Sequence, residues 1–154
     1  MAENIKTIVS NRKAFHDYFI ESKFEAGLQL KGTEVKALRE GKCSIVDSYA
    51  RIIDGELWII GMNIPVYKNA GYATHDPYRT RKLLLHKEEL RKIFRLVMEK
   101  GVTIIPLKVY FKNGWAKVEL GIARGKKKYD KREDIAQRDR KREEDRMKKQ
   151  YKIK

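Results

Sequence analysis

The chain has 154 residues and is 42% hydrophobic, which favours one domain with a genuine core over wholesale disorder. It carries 36 Lys+Arg against 21 Asp+Glu, a formal net charge of +15, so its expected partner is a polyanion, nucleic acid ahead of an anionic membrane. No run approaches the ~20 apolar residues of a membrane span, and Met1-Ala2-Glu3-Asn4-Ile5-Lys6 lacks a signal-peptide core, so a cytoplasmic protein is expected.

The first segment of interest is Asn11-Arg12-Lys13-Ala14-Phe15-His16-Asp17-Tyr18-Phe19. It mixes cations, aromatic rings and a side-chain amide, the components of a surface that stacks bases and holds phosphate. A strand with core aromatics is the competing reading, preferred for Phe15, Tyr18 and Phe19 and weaker for Asn11 and His16. Residues 18–20 and 24–30 then read as a strand, with Phe24, Ala26, Leu28 and Leu30 on one face and Glu25 on the other. Gly27 within it suggests a bulge or a close approach by another backbone. Thr33 is a plausible N-cap for a helix over residues 34–40, ended by Gly41. The lone Cys43 reads as a small packing residue, and a single cysteine allows no internal disulfide.

Two hairpins follow from Asp54-Gly55 and Asn113-Gly114, each placed between runs of strand-forming residues. Such dipeptides suit type I′ turns, whose two central residues need positive φ. Between the hairpins lies Asp76-Pro77-Tyr78-Arg79-Thr80-Arg81-Lys82-Leu83-Leu84-Leu85-His86. Pro77 holds Asp76 extended, and Arg79 and Arg81 would project to one face and offer guanidinium forks to phosphate. A solvated helix entrance leading into a core Leu run is the alternative. Leu90, Ile93, Phe94 and Val97 fall at i, i+3, i+4, i+7 and predict a helix stopped by Gly101. Short strands with inserted helices predict a mainly β fold: an OB-like closed antiparallel β-barrel of roughly five or six strands, with peripheral α-helices and a basic C-terminal tail.

The tail is expected to begin near Arg124-Gly125, giving a domain over residues 1–123 and a tail over residues 124–154. That tail holds 15 Lys/Arg and 7 Asp/Glu, with Ile135, Met147 and Ile153 its only large aliphatic side chains. So little apolar surface cannot offset the cost of ordering it alone. Acid-before-base pairs at i,i+4, such as Asp134 with Arg138 and Glu144 with Lys148, suit a helix formed on a surface. A tail without fixed structure when free and helical on its partner is therefore expected, against a merely solubilising one.

No catalytic constellation is visible. His16, His75 and His86 belong to no metal-ligand cluster, and neither a phosphate-binding glycine loop nor a nucleophile elbow occurs. A non-enzyme without metal or cofactor is expected.

Several of these segments occur in an order that resembles one family. They are residues 11–19, Phe24-Glu25-Ala26-Gly27-Leu28, Gly32-Thr33-Glu34-Val35-Lys36-Ala37-Leu38-Arg39, Asp47-Ser48-Tyr49, residues 76–86 and Gly125-Lys126-Lys127-Lys128-Tyr129-Asp130-Lys131-Arg132. The family is SmpB, the SsrA-binding proteins that partner transfer-messenger RNA in bacterial ribosome rescue. The resemblance implies an OB-like barrel that binds the tRNA-like domain of that RNA, and a monomer. It places Asn11, Glu25 and Leu84 on the RNA surface. Arg12, Lys13, His16, Lys36, Arg79, Arg81 and Lys82 are expected to add RNA contacts, Arg79, Arg81 and Lys82 to phosphate. Glu25 should read a base, because a carboxylate accepts from a base amino group but repels phosphate. Lys126, Lys127, Lys128, Tyr129, Asp130, Lys131 and Arg132 are expected to face the ribosome, entering the decoding centre and the mRNA path in place of a codon–anticodon pair. A structural ribosomal protein with a basic extension is the alternative.

Overall fold

A computed structural model of the chain describes residues 4–66, 75–98 and 101–125. The seven tail residues singled out above, Lys126 to Arg132, lie outside the described residues, as does all that follows them; Arg124 and Gly125, where the tail is expected to begin, still belong to the last strand.

The described residues form seven strands with three helices set between them. The strands are β1 (Ile5–Ser10), β2 (Tyr18–Leu28), β3 (Tyr49–Ile53), β4 (Glu56–Ile60), β5 (Arg81–Leu84), β6 (Val102–Lys112) and β7 (Trp115–Gly125). The helices are α1 (Arg12–Asp17), α2 (Gly32–Arg39) and α3 (Lys87–Val97). The strands pair antiparallel in the order β1-β6-β3-β4-β5-β2-β7, and β6 pairs again with β7. Six strands therefore form a hydrogen-bonded ring, while β1 adds to the outer edge of β6. This seventh strand was not anticipated; its Ile5, Lys6 and Thr7 are exposed and give no core-facing alternation.

Both hairpins turn as their dipeptides require, with Asp54 at φ 51°, Gly55 at 76°, Asn113 at 52° and Gly114 at 85°. Inside the ring, Ala26 and Leu28 of β2, Leu57 and Ile59 of β4, Leu83 of β5, and Val118, Leu120 and Ile122 of β7 form the main core. Leu90, Ile93, Leu96 and Val97 of α3 pack against it. Gly101, at φ 84°, leads into β6 rather than capping α3, whose C-cap is Met98.

A second, smaller core lies on the other face of the sheet. Ala14 of α1 packs there on Ile105, Leu107 and Ala123, flanked by Tyr18 and Ile20. These strand residues alternate with the inward ones, so α1 rests on the outside of the ring. Gly121 makes this seat possible: a Cβ there would lie 2.9 Å from Leu107 Cδ1 and 3.2 Å from Ile20 Cγ2.

Two local expectations are corrected. Residues 12–17 are helical, not extended, because Asn11 supplies a side-chain N-cap to Ala14 N at 3.2 Å. Thr33 does not cap α2; the N-cap is Lys31, and Thr33 Oγ1 hydrogen-bonds with His75 Nδ1 at 2.9 Å.

Candidate nucleic-acid interface

The outer wall of the ring is built by period-two alternation. Because Ala26 and Leu28 point inward, Glu25 and Gly27 point outward. Gly27 sits opposite Leu84 of β5 on one side and Lys117 of β7 on the other. Lys117 in turn opposes Tyr110 of β6, and Tyr110 opposes Thr7 of β1. Leu83 is in the core, so Leu84 faces out and is 47% exposed. A Cβ on Gly27 would touch Leu84 Cβ at 3.5 Å. The close neighbour expected at this glycine is thus mainly a side chain.

Glu25 is held in place from β6. Tyr110 donates its hydroxyl to Oε2, and Lys112 Nζ lies 3.3 Å from Oε1. The Tyr110 hydrogen bond, against a smaller opposing effect of burial, holds the Glu25 carboxyl below its usual range, with help from Lys112 and Lys117. The result is a fixed, part-exposed anion among lysines. Lys108 lies over the Tyr110 ring, 5.4 Å from its centre. Lys82, outward on β5, pairs with Glu56 at 3.4 Å.

At the other end of the wall stands α1. Lys23, two residues before Glu25 on β2, lies 5.6 Å from the centre of the Phe15 ring. Phe15 is 48% exposed, and Arg12, Lys13 and His16 are exposed around it. Asn11 is the opposite case. It is 5% exposed, donates Nδ2 to Pro106 O at 3.1 Å and takes the Leu107 carbonyl through its backbone N–H at 2.7 Å. The expected assignments are reversed for three residues: Phe15 and Phe19 are half exposed, while Asn11 is a clamp holding α1 to the bulge of β6; Tyr18 packs on the second core and His16 is exposed, as expected. Lys13 lies 3.7 Å from Asp47.

The Arg79–Arg81 pair does not form a phosphate fork. Arg81 points inward and is 0% exposed. Its Nε donates to Glu34 Oε2 at 2.7 Å, Nη1 to Met62 O at 2.8 Å and Nη2 to Pro77 O at 3.1 Å. Arg79 grips the same carboxylate through Nη2 to Oε1 at 2.7 Å and Nε to Oε2 at 3.1 Å, and reaches Gln29 O. Glu34, fully buried on α2, also accepts from Lys31 N at 2.7 Å. Burial alone would raise the Glu34 pKa, but these four donors outweigh it and bring the value to about 2. Sequence spacing put both arginines on one face, but β5 begins only at Arg81 and Arg79 lies in the preceding turn. Arg81 is therefore removed from the phosphate contacts, and Arg79 is largely occupied. Lys36 is exposed on α2.

Among the described residues, no cluster of His, Cys, Asp and Glu could hold a metal ion, and no helix is long and apolar enough to cross a membrane. Burial pushes the Cys43 thiol up to about 12, which keeps it protonated and unreactive.

Sequence reasoning missed Tyr110, Lys112, Lys117 and Lys23 as neighbours of Glu25, and Glu34 as the buried anion. Lys108, Tyr110 and Lys112 alternate along an evident strand, so all three could have been placed on one face. Their closeness to Glu25 depends on strand order, which no local pattern gives.

Comparison with known proteins places this wall in context. The family model described as SmpB protein matches residues 8–150. An SsrA-binding protein of Acetivibrio thermocellus is 56% identical over 147 residues, 95% of this chain and 96% of that protein. Another, from Geobacter metallireducens, is 56% identical over 138 residues, 90% of each. A solved chain described as "tmRNA-SmpB: a journey to the center of the bacterial ribosome" superposes with a TM-score of 0.67 at 50% identity. That match covers 82% of this chain and 93% of the other.

Proposed function

The chain belongs to the SmpB family, and we infer that it binds transfer-messenger RNA and delivers it to stalled ribosomes. It acts as an RNA-binding adaptor in the cytoplasm, without catalytic chemistry of its own. The ring of six strands is read as an OB-like closed barrel that displays one wall to the tRNA-like domain of that RNA.

The observation that carries the reading is the juxtaposition of Glu25 and Leu84 on one exposed wall, with lysines on both sides. Glu25 is an acceptor fixed by Tyr110 and Lys112, suited to a base amino group and unsuited to phosphate. Leu84 offers an apolar platform beside it, and Lys82 and Lys117 supply positive charge. Arg12, Lys13 and His16 extend the surface along α1, which Asn11 positions. Lys36 contributes from α2 through its charge. Lys126, Lys127, Lys128, Tyr129, Asp130, Lys131 and Arg132 face the ribosome, where Tyr129 stacks on a ribosomal RNA base in the decoding centre. Residues 1–123 thus recognise one RNA and residues 124–154 address the other.

Identification of the RNA retained by the purified protein under stringent salt tests this reading. Transfer-messenger RNA is expected. Recovery of ribosomal RNA alone would overturn it.

A further inference from the structure

α3 presents two chemically distinct faces. Leu90, Ile93, Leu96 and Val97 pack on the core. The opposite side carries Lys87, Arg91 and Arg95, spaced i, i+4, i+8, with Lys92 beside them, and all four are exposed. At 1.5 Å per residue, successive members of the row stand ~6 Å apart along the axis. Among the described residues, none of the four has an ion-pair partner. Glu88, in the first turn, is the one exposed anion on this side, where it complements the helix dipole.

Stabilising the helix explains Arg95, in the last turn, and Lys92, four residues after Glu88, but not the row as a whole. Cations favour a helix only near its C-terminus, and Lys87 is the first residue of α3. Like charges at i,i+4 repel, at a cost of a few tenths of a kcal/mol per pair. The row is also poorly suited to a protein partner, since the one large apolar side chain exposed along α3 is Met98, at its C-cap.

The row is joined to the proposed RNA wall by a short stretch of chain. β5 ends at Leu84, and α3 begins three residues later at Lys87. We propose that the outward face of α3 is a phosphate track on which Lys87, Arg91 and Arg95 hold the backbone of the same transfer-messenger RNA that meets Glu25 and Leu84. This rests on the functional reading above and extends its interface beyond the barrel wall. The wall selects the RNA through bases and shape; the helix adds affinity without sequence preference.

The test is a salt titration of binding to transfer-messenger RNA by the full chain. It compares the unaltered protein, Arg91→Gln/Arg95→Gln, and a charge-matched control, Arg39→Gln/Lys42→Gln, at and just beyond the end of α2. Each phosphate contact contributes roughly 0.7–0.9 to the slope of log K against log salt. The α3 pair should therefore lower the slope by about 1.4–1.8 and weaken binding roughly 20-fold at 0.15 M salt relative to 1 M. The control should leave the slope nearly unchanged, and all three proteins should melt alike, since the altered residues are exposed. An unchanged slope in the α3 variant would overturn the track. An equal fall in the control would also overturn it, by showing only the effect of net charge. Intact RNA binding with weakened attachment to ribosomes would assign the row to ribosomal RNA and overturn it too. Failure of the unaltered protein to bind would sink the functional reading itself, whereas binding with an unchanged α3 slope sinks the track alone.

Discussion

Glu34→Gln removes the charge that neutralises two guanidinium groups, one of them Arg81 at zero exposure, while nearly preserving shape. Breaking a buried ion pair from one side costs about 3–5 kcal/mol, because the remaining charge is left without compensation. Against a domain stability of roughly 5–15 kcal/mol, that is a large fraction. The pH dependence gives an independent figure. The Glu34 carboxyl titrates at about 2 in the folded protein against 4.5 when unperturbed. A depressed carboxylate contributes stability that is fully present above the unfolded value and is lost as pH falls through the folded one. The window is therefore pH 4.5 down to about 2, and the difference corresponds to ~3 kcal/mol. Urea unfolding from pH 7 to pH 2.5 reads both quantities. With a urea dependence of about 1–3 kcal/mol per molar, the midpoint of Glu34→Gln should drop by roughly 2 M at pH 7. The gap to the unaltered protein should narrow as pH falls below 4.5. Glu21→Gln, which breaks the half-exposed pair with Arg124, should cost less than ~1 kcal/mol and serves as the control. A loss below 1 kcal/mol in Glu34→Gln, or a gap that stays constant through the acid range, would refute the reasoning.

Three further outcomes follow from the same geometry. Arg81→Lys, which keeps the charge but cannot reproduce three guanidinium hydrogen bonds, should lower the melting temperature without changing the salt slope of RNA binding; a fall of one phosphate contact in that slope would return Arg81 to the interface. Glu25→Ala should weaken binding to transfer-messenger RNA with little change in slope, since it removes a base acceptor, whereas Lys117→Ala should lower the slope by roughly one contact; titration calorimetry at several salt concentrations separates them. Asn11→Ala should destabilise the domain by about 1–2 kcal/mol in chemical denaturation, through loss of the α1 cap and of its bond to Pro106 O, and a neutral result would contradict the clamp.

The parts of the fold that local chemistry dictates were legible. Asp54-Gly55 and Asn113-Gly114 turn where they should because few other dipeptides accept two positive φ values in succession. The apolar row of α3 marks its core face for the same kind of reason. What failed was competition between local alternatives. Tyr18 and Phe19 are in a strand as read, but residues 12–17 before them form a short helix, favoured by the cap from Asn11 and the seat over Gly121. Neither the carbonyl of Pro106 nor the space above Gly121 is near Asn11 in sequence. The same distance hides the role of Thr33, whose partner His75 lies 42 residues away.

The site shows why charge was the less reliable guide and position in the sheet the better one. Arg79, Arg81 and Lys82 look alike in sequence, but their environments differ within four residues. Alternation about Leu83 sends Arg81 inward, where burial requires a counter-ion, and Glu34 meets that requirement. The same alternation sends Lys82 outward. Glu25 and Glu34 differ in the same way: both are lowered carboxylates, but only Glu25 retains exposure beside an apolar platform. A strongly basic chain thus spends part of its cationic complement internally, and its net charge overstates what reaches a partner. The cations left to bind RNA are those on outward strand positions and on the solvent side of helices, and the row on α3 belongs to that set.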